Sequence, residues 1–328
     1  MFVHTQISRR WIAAACALAA IFVPVADASA AEVQFGTTGK SDSTSIVTYI
    51  AMERKLFEAN GVQLNWFAAG SAAKAVQQTL AGSLDISIAA TDQFIRAVGQ
   101  GAPLSIVAGA VTAAPFRVVG AKDVRTWGDL KGKTISVGGP SDQTLFFFRI
   151  MARKNGLADK DYDLVYAGTT PARFAQLMTG AVGAAVLTNP NDLVAMDAGY
   201  SDLGAAPDYV PVWAQNNVFV NSVWAKKNPD AVTGFLKAFV AASAIFYDPA
   251  HRDEVVSILM KYNGSDKATS ERVYTFYQDK KIIAPGAGLS EAGLQAVVDS
   301  LVASKELASA PTVAWLIDAS FLAAATKK

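Results

Sequence analysis

Two stretches of the chain repeat one another at a constant offset of 98 residues, and that repeat limits the fold more than any other feature. Gly70-Ser71, Gln78 and Gly82-Ser83-Leu84 align with Gly168-Thr169, Gln176 and Gly180-Ala181-Val182. Ile88 then falls opposite Val186, and Thr91 opposite Asn189. Each unit reads as a loop, a helix bearing a glutamine, a glycine stop, and a buried strand ending in polar residues. A short apolar run bounded in this way is a strand buried on both faces, as in a parallel sheet covered by helices.

The flanking sequence continues the alternation. Val33–Phe35 reads as a strand, Thr44–Ala59 as a helix stopped by Asn60-Gly61, and Val62, Leu64 and Trp66 as a strand alternating with Gln63 and Asn65. Leu84, Ile86 and Ile88 form a strand, a helix runs from Asp92 to near Gly99, and Leu104–Ala110 is a further strand. Thr134–Val137, a helix over Ser141–Asn155 and a strand over Asp163–Tyr166 follow. Such alternation makes mainly parallel sheets flanked by helices, an α/β class. From Trp224 onward the pattern is helical: Asp230–Tyr247, His251–Tyr262, Ser270–Tyr277, Ser290–Ser304 and Trp315–Ala325. A duplicated α/β unit with a helical tail implies two similar lobes, the tail packing back on the first. The expected division is lobe 1 over residues 31–113 and 221–328 and lobe 2 over 114–220, with chain crossings near Val111–Phe116 and Phe219–Val223.

Residues 1–30 read as a cleaved export signal. Arg9 and Arg10 precede an apolar run from Trp11 to Val25, and Ala28-Ser29-Ala30 supplies small residues for cleavage. The arginine pair resembles a twin-arginine start, but the pattern after it is incomplete; Cys16 lacks the context of a lipoprotein. Cleavage removes Arg9, Arg10, Asp27, His4 and Cys16. The remaining chain carries 27 basic and 27 acidic residues, no cysteine, and His251 as its one histidine. A formally neutral chain has no electrostatic reason to hold nucleic acid. Without Cys, and with one His, neither a thiolate nucleophile, a disulfide nor a His-based metal cluster can form, so neither metal nor cofactor is expected.

Familiar catalytic motifs fail on spacing. Gly39-Lys40-Ser41 follows a strand, but the phosphate-binding loop needs a glycine five residues before Gly39, and Gln34 stands there. Gly138-Gly139-Pro140-Ser141 lacks the dinucleotide fingerprint, and Asp161 and Asp163 lie in a polar turn. What remains is a set of loops at the carboxyl ends of strands, where open α/β sheets bind ligands: Lys40–Thr44, Gly70-Ser71, Thr91-Asp92, Gly138–Thr144 and Thr188-Asn189. Several lead into helices, whose free N–H groups suit an anionic group. Ordinary N-capping uses the same residue types.

The order of several short segments resembles the periplasmic solute-binding proteins of the nitrate/sulfonate/taurine and thiamine-precursor (NMT1/SsuA-like) ABC importers. Tyr49-Ile50-Ala51, Leu56-Phe57 and Gly61-Val62 resemble the family's first helix and next strand, and Gly82-Ser83-Leu84-Asp85-Ile86 its following signature. Asp129-Leu130-Lys131-Gly132-Lys133 resembles the start of the second lobe, and Asn189-Pro190 stands where the family often has Glu-Pro. Lys227-Asn228-Pro229-Asp230 and Phe235-Leu236-Lys237-Ala238 resemble the return helix.

The resemblance implies a two-lobed clamshell of type II-like topology that closes on one small molecule and delivers it to a membrane permease with its ATPase. It implies a monomer in the periplasm and a binder without enzymatic activity. The implied ligand is a small anion of sulfonate, nitrate or aromatic carboxylate type, with a neutral pyrimidine-like thiamine precursor as the alternative; a sensory binding protein would use the same fold. Some relatives make the thiamine pyrimidine from their own His with a Cys-rich motif, which this chain lacks. Carried over position by position, the implied ligand-binding residues are Ser43, Thr44, Gly70, Ser71, Thr91 and Asp92 in lobe 1. Gln143, Thr144 and Asn189 stand in lobe 2, and Thr112 lies near a crossing. Lys40 is the candidate charge, because no arginine stands in these loops to clamp an acid. Phe116 and Trp213 are aromatic candidates at the pocket wall.

Overall fold

A computed structural model describes residues 30–40, 42–307 and 309–327. The stretch expected to be an export signal, residues 1–30, lies outside the described residues apart from Ala30. The strands fall into two five-stranded mixed sheets. The first holds β1 (Ala31–Thr37), β2 (Val62–Ala68), β3 (Ile86–Ala90), β4 (Leu104–Val111) and β10 (Asn216–Asn221) in the order β2-β1-β3-β10-β4. The second holds β5 (Phe116–Gly120), β6 (Thr134–Val137), β7 (Asp163–Tyr166), β8 (Ala184–Thr188) and β9 (Ser201–Ala205) in the order β7-β6-β8-β5-β9. In each sheet the fourth strand, β10 or β5, runs antiparallel to both neighbours. Each is also the first strand laid down after the chain arrives from the other sheet.

The helices alternate with these strands as the sequence pattern requires. Around the first sheet lie α1 (Ile46–Glu53), α2 (Leu56–Ala59), α3 (Ala72–Ala81) and α4 (Thr91–Gly99). The second carries α5 (Gln143–Lys154), α6 (Thr170–Met178), α7 (Asn191–Asp197) and α8 (Ala206–Tyr209). The tail supplies α9 (Ser222–Lys227), α10 (Pro229–Tyr247), α11 (Arg252–Asn263), α12 (Lys267–Asp279), α13 (Glu291–Ala303), α14 (Val313–Leu316) and α15 (Ser320–Thr326). By length and composition α10 could cross a membrane. Here Phe235, Leu236, Phe239 and Phe246 are buried in the core of the first lobe, and α1 and α15 pack on the helix.

The repeat is structural. α3 and α6 begin 98 residues apart, as do β3 and β8. The glycine after each helix is left-handed, Gly82 at φ 78° and Gly180 at φ 73°, the conformation that ends a helix at least cost without a Cβ. The backbone repeats its bonds: Ala69 N–H donates to Thr37 O at 2.8 Å, and Ala167 N–H to Val137 O at 2.9 Å.

Three expectations shift. The helix expected over Thr44–Ala59 breaks at Lys55, which is left-handed at φ 52°, and the turn brings Phe57 into the core, stacked on Phe235 at 5.1 Å. The helix expected over Trp315–Ala325 is interrupted where Ile317 bridges Ile106 and Asp318 N–H donates to Ile106 O at 2.8 Å. The second crossing was expected at Phe219–Val223; β10 already pairs with β3 and β4 from Asn216, so the chain passes between sheets over 206–215. Ladder hydrogen bonds set that boundary, and a sequence pattern does not reveal them.

Candidate functional site

The loops after equivalent strands face one another across the lobes. Ser43, in the loop after β1, is fully buried and donates through Oγ to the backbone carbonyl of Asn189, after β8, at 3.3 Å. Gln143, after β6, donates through Nε2 to Asp92 Oδ1, after β3, at 2.7 Å. The repeat relates these two contacts, because β1 corresponds to β6 and β3 to β8. Ser43, Asn189, Asp92 and Gln143 are all buried, so each polar atom left without a partner carries a desolvation cost. Thr91 is buried beside them; its Oγ1 donates to Gln215 O at 3.2 Å and accepts from Asn217 Nδ2 at 2.6 Å.

Other expected residues serve the loops themselves. Asp42 Oδ1 accepts from Thr44 N and Thr44 Oγ1, both at 2.9 Å. Asp142 Oδ1 repeats the turn, accepting from Thr144 N at 2.8 Å and from Thr144 Oγ1 at 2.5 Å. Thr144 Oγ1 also accepts from Gly138 N at 2.7 Å. Ser71 caps α3 by accepting from Lys74 N at 3.2 Å, and Gly70 N–H donates to Thr38 O at 3.0 Å. Thr112 Oγ1 donates to Lys281 O at 2.6 Å, which ties the first crossing to the tail instead of to the cleft. Lys40 is exposed, with Nζ 5.3 Å from the Trp66 ring centroid. Phe116 is buried against Phe147 at 5.6 Å.

Beside the Asp92–Gln143 contact lies a cavity of about 360 Å³ between α4, α5 and α13. Its inner wall includes Asp92, Gln143, Phe146 and Trp213, and its outer wall Arg96, Arg149, Arg153, Asp159 and Glu306. Trp213 stacks on Phe146 with centroids 5.0 Å apart and planes at 26°. Gln143 Oε1 and Trp213 Nε1 are buried with no hydrogen-bond partner. Arg96 pairs with Asp92 and Glu306, whereas Arg149 and the exposed Arg153 lie 3.1 and 3.8 Å from Asp159, and Arg149 Nε is buried without a hydrogen-bond partner. Burial pushes the Asp92 carboxyl above its usual range, and the adjacent Arg96 opposes that shift.

Four participants were not legible in the loops. Asn263 Nδ2 donates to Ser43 Oγ at 2.9 Å from the end of α11. Tyr277 of α12 buries an unpartnered hydroxyl, and burial holds its titration well above the tyrosine range. Asp192 of α7 is 1% exposed, receives Asn189 Nδ2 on both oxygens at 2.8 and 2.9 Å, and pairs with Arg117 at 3.2 Å. Arg173 lies on α6 behind the loops, donating Nε to Val186 O at 2.6 Å and NH2 to Thr170 Oγ1 at 2.8 Å. Burial lowers its pKa to about 10, with Asp142 opposing. The expectation of no pocket arginine considered loops alone, whereas this guanidinium reaches the strand ends from a helix. Among the described residues no group of three or more His, Cys, Asp or Glu is placed to hold a metal.

No curated protein sequence matches the chain. The fold is similar to the alkanesulfonate-binding protein SsuA from Xanthomonas axonopodis pv. citri bound to MOPS, at 19% identity and TM-score 0.71, covering 88% of this chain and 98% of that one. It is similar to the periplasmic aliphatic sulphonate binding protein SsuA from Escherichia coli, at 19% identity and TM-score 0.69, covering 89% and 98%. The periplasmic nitrate-binding protein NrtA from Synechocystis PCC 6803 matches at 15% identity and TM-score 0.71, covering 90% and 88%. At these identities the likeness is one of fold. The sequence profile of the NMT1/THI5-like family matches residues 42–251, which takes in the second sheet, every strand of the first but β1, and both cross-lobe contacts, and the chain belongs to that family.

Proposed function

We propose that the chain is the periplasmic substrate-binding component of an ABC import system, monomeric and non-catalytic, which captures a small solute between its lobes and delivers it to a permease and its ATPase. The observation that carries this reading is the meeting of buried polar groups from both lobes at the strand ends, beside a cavity of about 360 Å³ whose Gln143 and Trp213 retain unpartnered atoms. Buried groups of this kind are normally paired, and a ligand held by both lobes would pair them while favouring closure. The two crossings, at 112–115 and 206–215, would act as hinges. Family membership, the fold and the expected export signal support the same reading.

Of the two ligand classes, the small anion draws support from Arg173 behind the loops of the second lobe. The neutral, pyrimidine-like class draws support from the cavity wall, where the arginines already face carboxylates and two stacked aromatic rings offer a planar shelf. Thermal-shift measurements on the exported chain test both against nitrate, alkanesulfonates, aromatic carboxylates and aminopyrimidines. A true ligand raises the melting temperature in proportion to RT ln(1 + [L]/Kd). Failure of every class to shift the transition, with calorimetry equally silent, would overturn the solute-binding reading.

A further inference from the structure

Within the cavity wall, the orientation of the Gln143 amide is set by its neighbour Asp92. Gln143 is 7% exposed, and its Nε2 donates to Asp92 Oδ1 at 2.7 Å. Asp92 Oδ2 accepts from Gln93 Nε2 at 3.0 Å and from Arg96. Two donors on that side keep the group an acceptor, so the Gln143 amide cannot turn over without setting its oxygen against a carboxylate oxygen. Gln143 Oε1 is therefore left as a fixed, buried and unpartnered acceptor, and Trp213, donor only, carries an unpartnered Nε1 on the same cavity.

We propose that Asp92 is a positioning residue that fixes Gln143 Oε1 as the unpartnered acceptor of this wall, beside the unpartnered donors Trp213 Nε1 and Arg149 Nε. The wall then selects a planar neutral ligand whose edge carries an N–H or O–H donor beside an acceptor, lying along the Phe146–Trp213 shelf. It disfavours carboxylates and sulfonates, which would set oxygen against Gln143 Oε1, while Arg96 is held by Asp92 and Glu306 and Asp159 lies within ion-pair distance of Arg149 and Arg153. The inference rests on the solute-binding reading and specifies its ligand.

Matched pairs test it: benzamide against benzoate, and nicotinamide against nicotinate, titrated calorimetrically into the exported wild-type chain. The expected result is an amide preference of about tenfold or more, since a site with a buried polar group rejects an analogue that cannot pair it. In Asp92→Asn, Arg96 and Gln93 hold the new oxygen on their side, the new amide nitrogen faces Gln143, and the glutamine turns its own N–H to the cavity. The preference should then vanish or invert. Gln143→Leu, which spares the Asp92–Arg96 pair, should bring amide and carboxylate affinities together. A merely structural role for Asp92 would weaken both members of a pair equally and leave their ratio unmoved, and that result would overturn the proposal. So would a wild-type preference for the carboxylates. Silence of every pair at millimolar concentration would overturn this cavity assignment, while the broader solute panel decides separately whether the lobes bind anything.

Discussion

Leu193 is the buried residue of the second lobe that joins the apolar cluster of the first, and its truncation should loosen the contact between them. It sits on α7 of the second lobe, is 5% exposed, and belongs to the apolar cluster of the first lobe, which includes Val255, Val273 and Tyr277. Around it the seam is polar: Arg272 NH1 reaches both oxygens of Asp197 at 2.7 and 2.8 Å, and the Arg117 guanidinium lies 5.6 Å from the Phe276 ring centroid. Leu193→Ala removes three carbon centres from apolar surroundings, which at roughly 0.8 kcal/mol per methylene costs about 2 kcal/mol of lobe contact. That is roughly a 30-fold change in the opening equilibrium. Hydrogen exchange of backbone amides along α7 and α12 reads this equilibrium even where the open form is minor, and should accelerate by about that factor. Apparent affinity for any ligand held by both lobes weakens in step once the open form dominates. If seam exchange is unchanged while the melting temperature falls, Leu193 stabilises its own sheet and the reasoning fails.

The neighbouring ion pair should behave oppositely: Arg272→Ala, removing a half-exposed partner of Asp197, should cost no more than about 1 kcal/mol in urea unfolding, with less lost at high salt. A methyl group at Gly109 would stand 2.1 Å from the Gly288 carbonyl oxygen, so Gly109→Ala should lower stability by about 3 kcal/mol, read as an early thermal transition. Burial raises the Asp192 carboxyl above its ordinary value, against the pull of Arg117, so its contribution to stability is present below about pH 4 and is lost as pH rises through the raised value. Asp192→Asn lacks that loss; its stability relative to wild type should therefore improve between pH 4 and 7, and a flat difference would exclude the raised titration.

The fold was legible because its signals are local. The spacing of Gly70, Gly82, Gly168 and Gly180 reflects left-handed turns that recur in both units, and strands such as Thr134–Val137 and Asp163–Tyr166 read directly from their apolar runs. The contacts of Ser43 with Asn189 and of Asp92 with Gln143 join residues that loop position alone had singled out. Thr44, Ser71 and Thr144 illustrate the limit of that logic, since a capping hydroxyl and a ligand-binding hydroxyl look alike in sequence. Tyr277, Asn263 and Arg173 carry no comparable signal. They reach the cleft from helices tens to hundreds of residues away, and only packing brings them there.

The strand order also dictates an order of assembly. β10 lies between β3 and β4, so the first four strands to leave the ribosome cannot complete their own sheet. Among the described residues β4 has its one strand partner in β10, whose residues follow the whole second sheet in the chain. The second sheet is contiguous from Phe116 to Ala205 and can close as soon as it is made. The N-terminal lobe must therefore wait, incomplete and with open edges, for the middle of the chain to fold. The interval is short only where both halves of the chain are present together before folding begins.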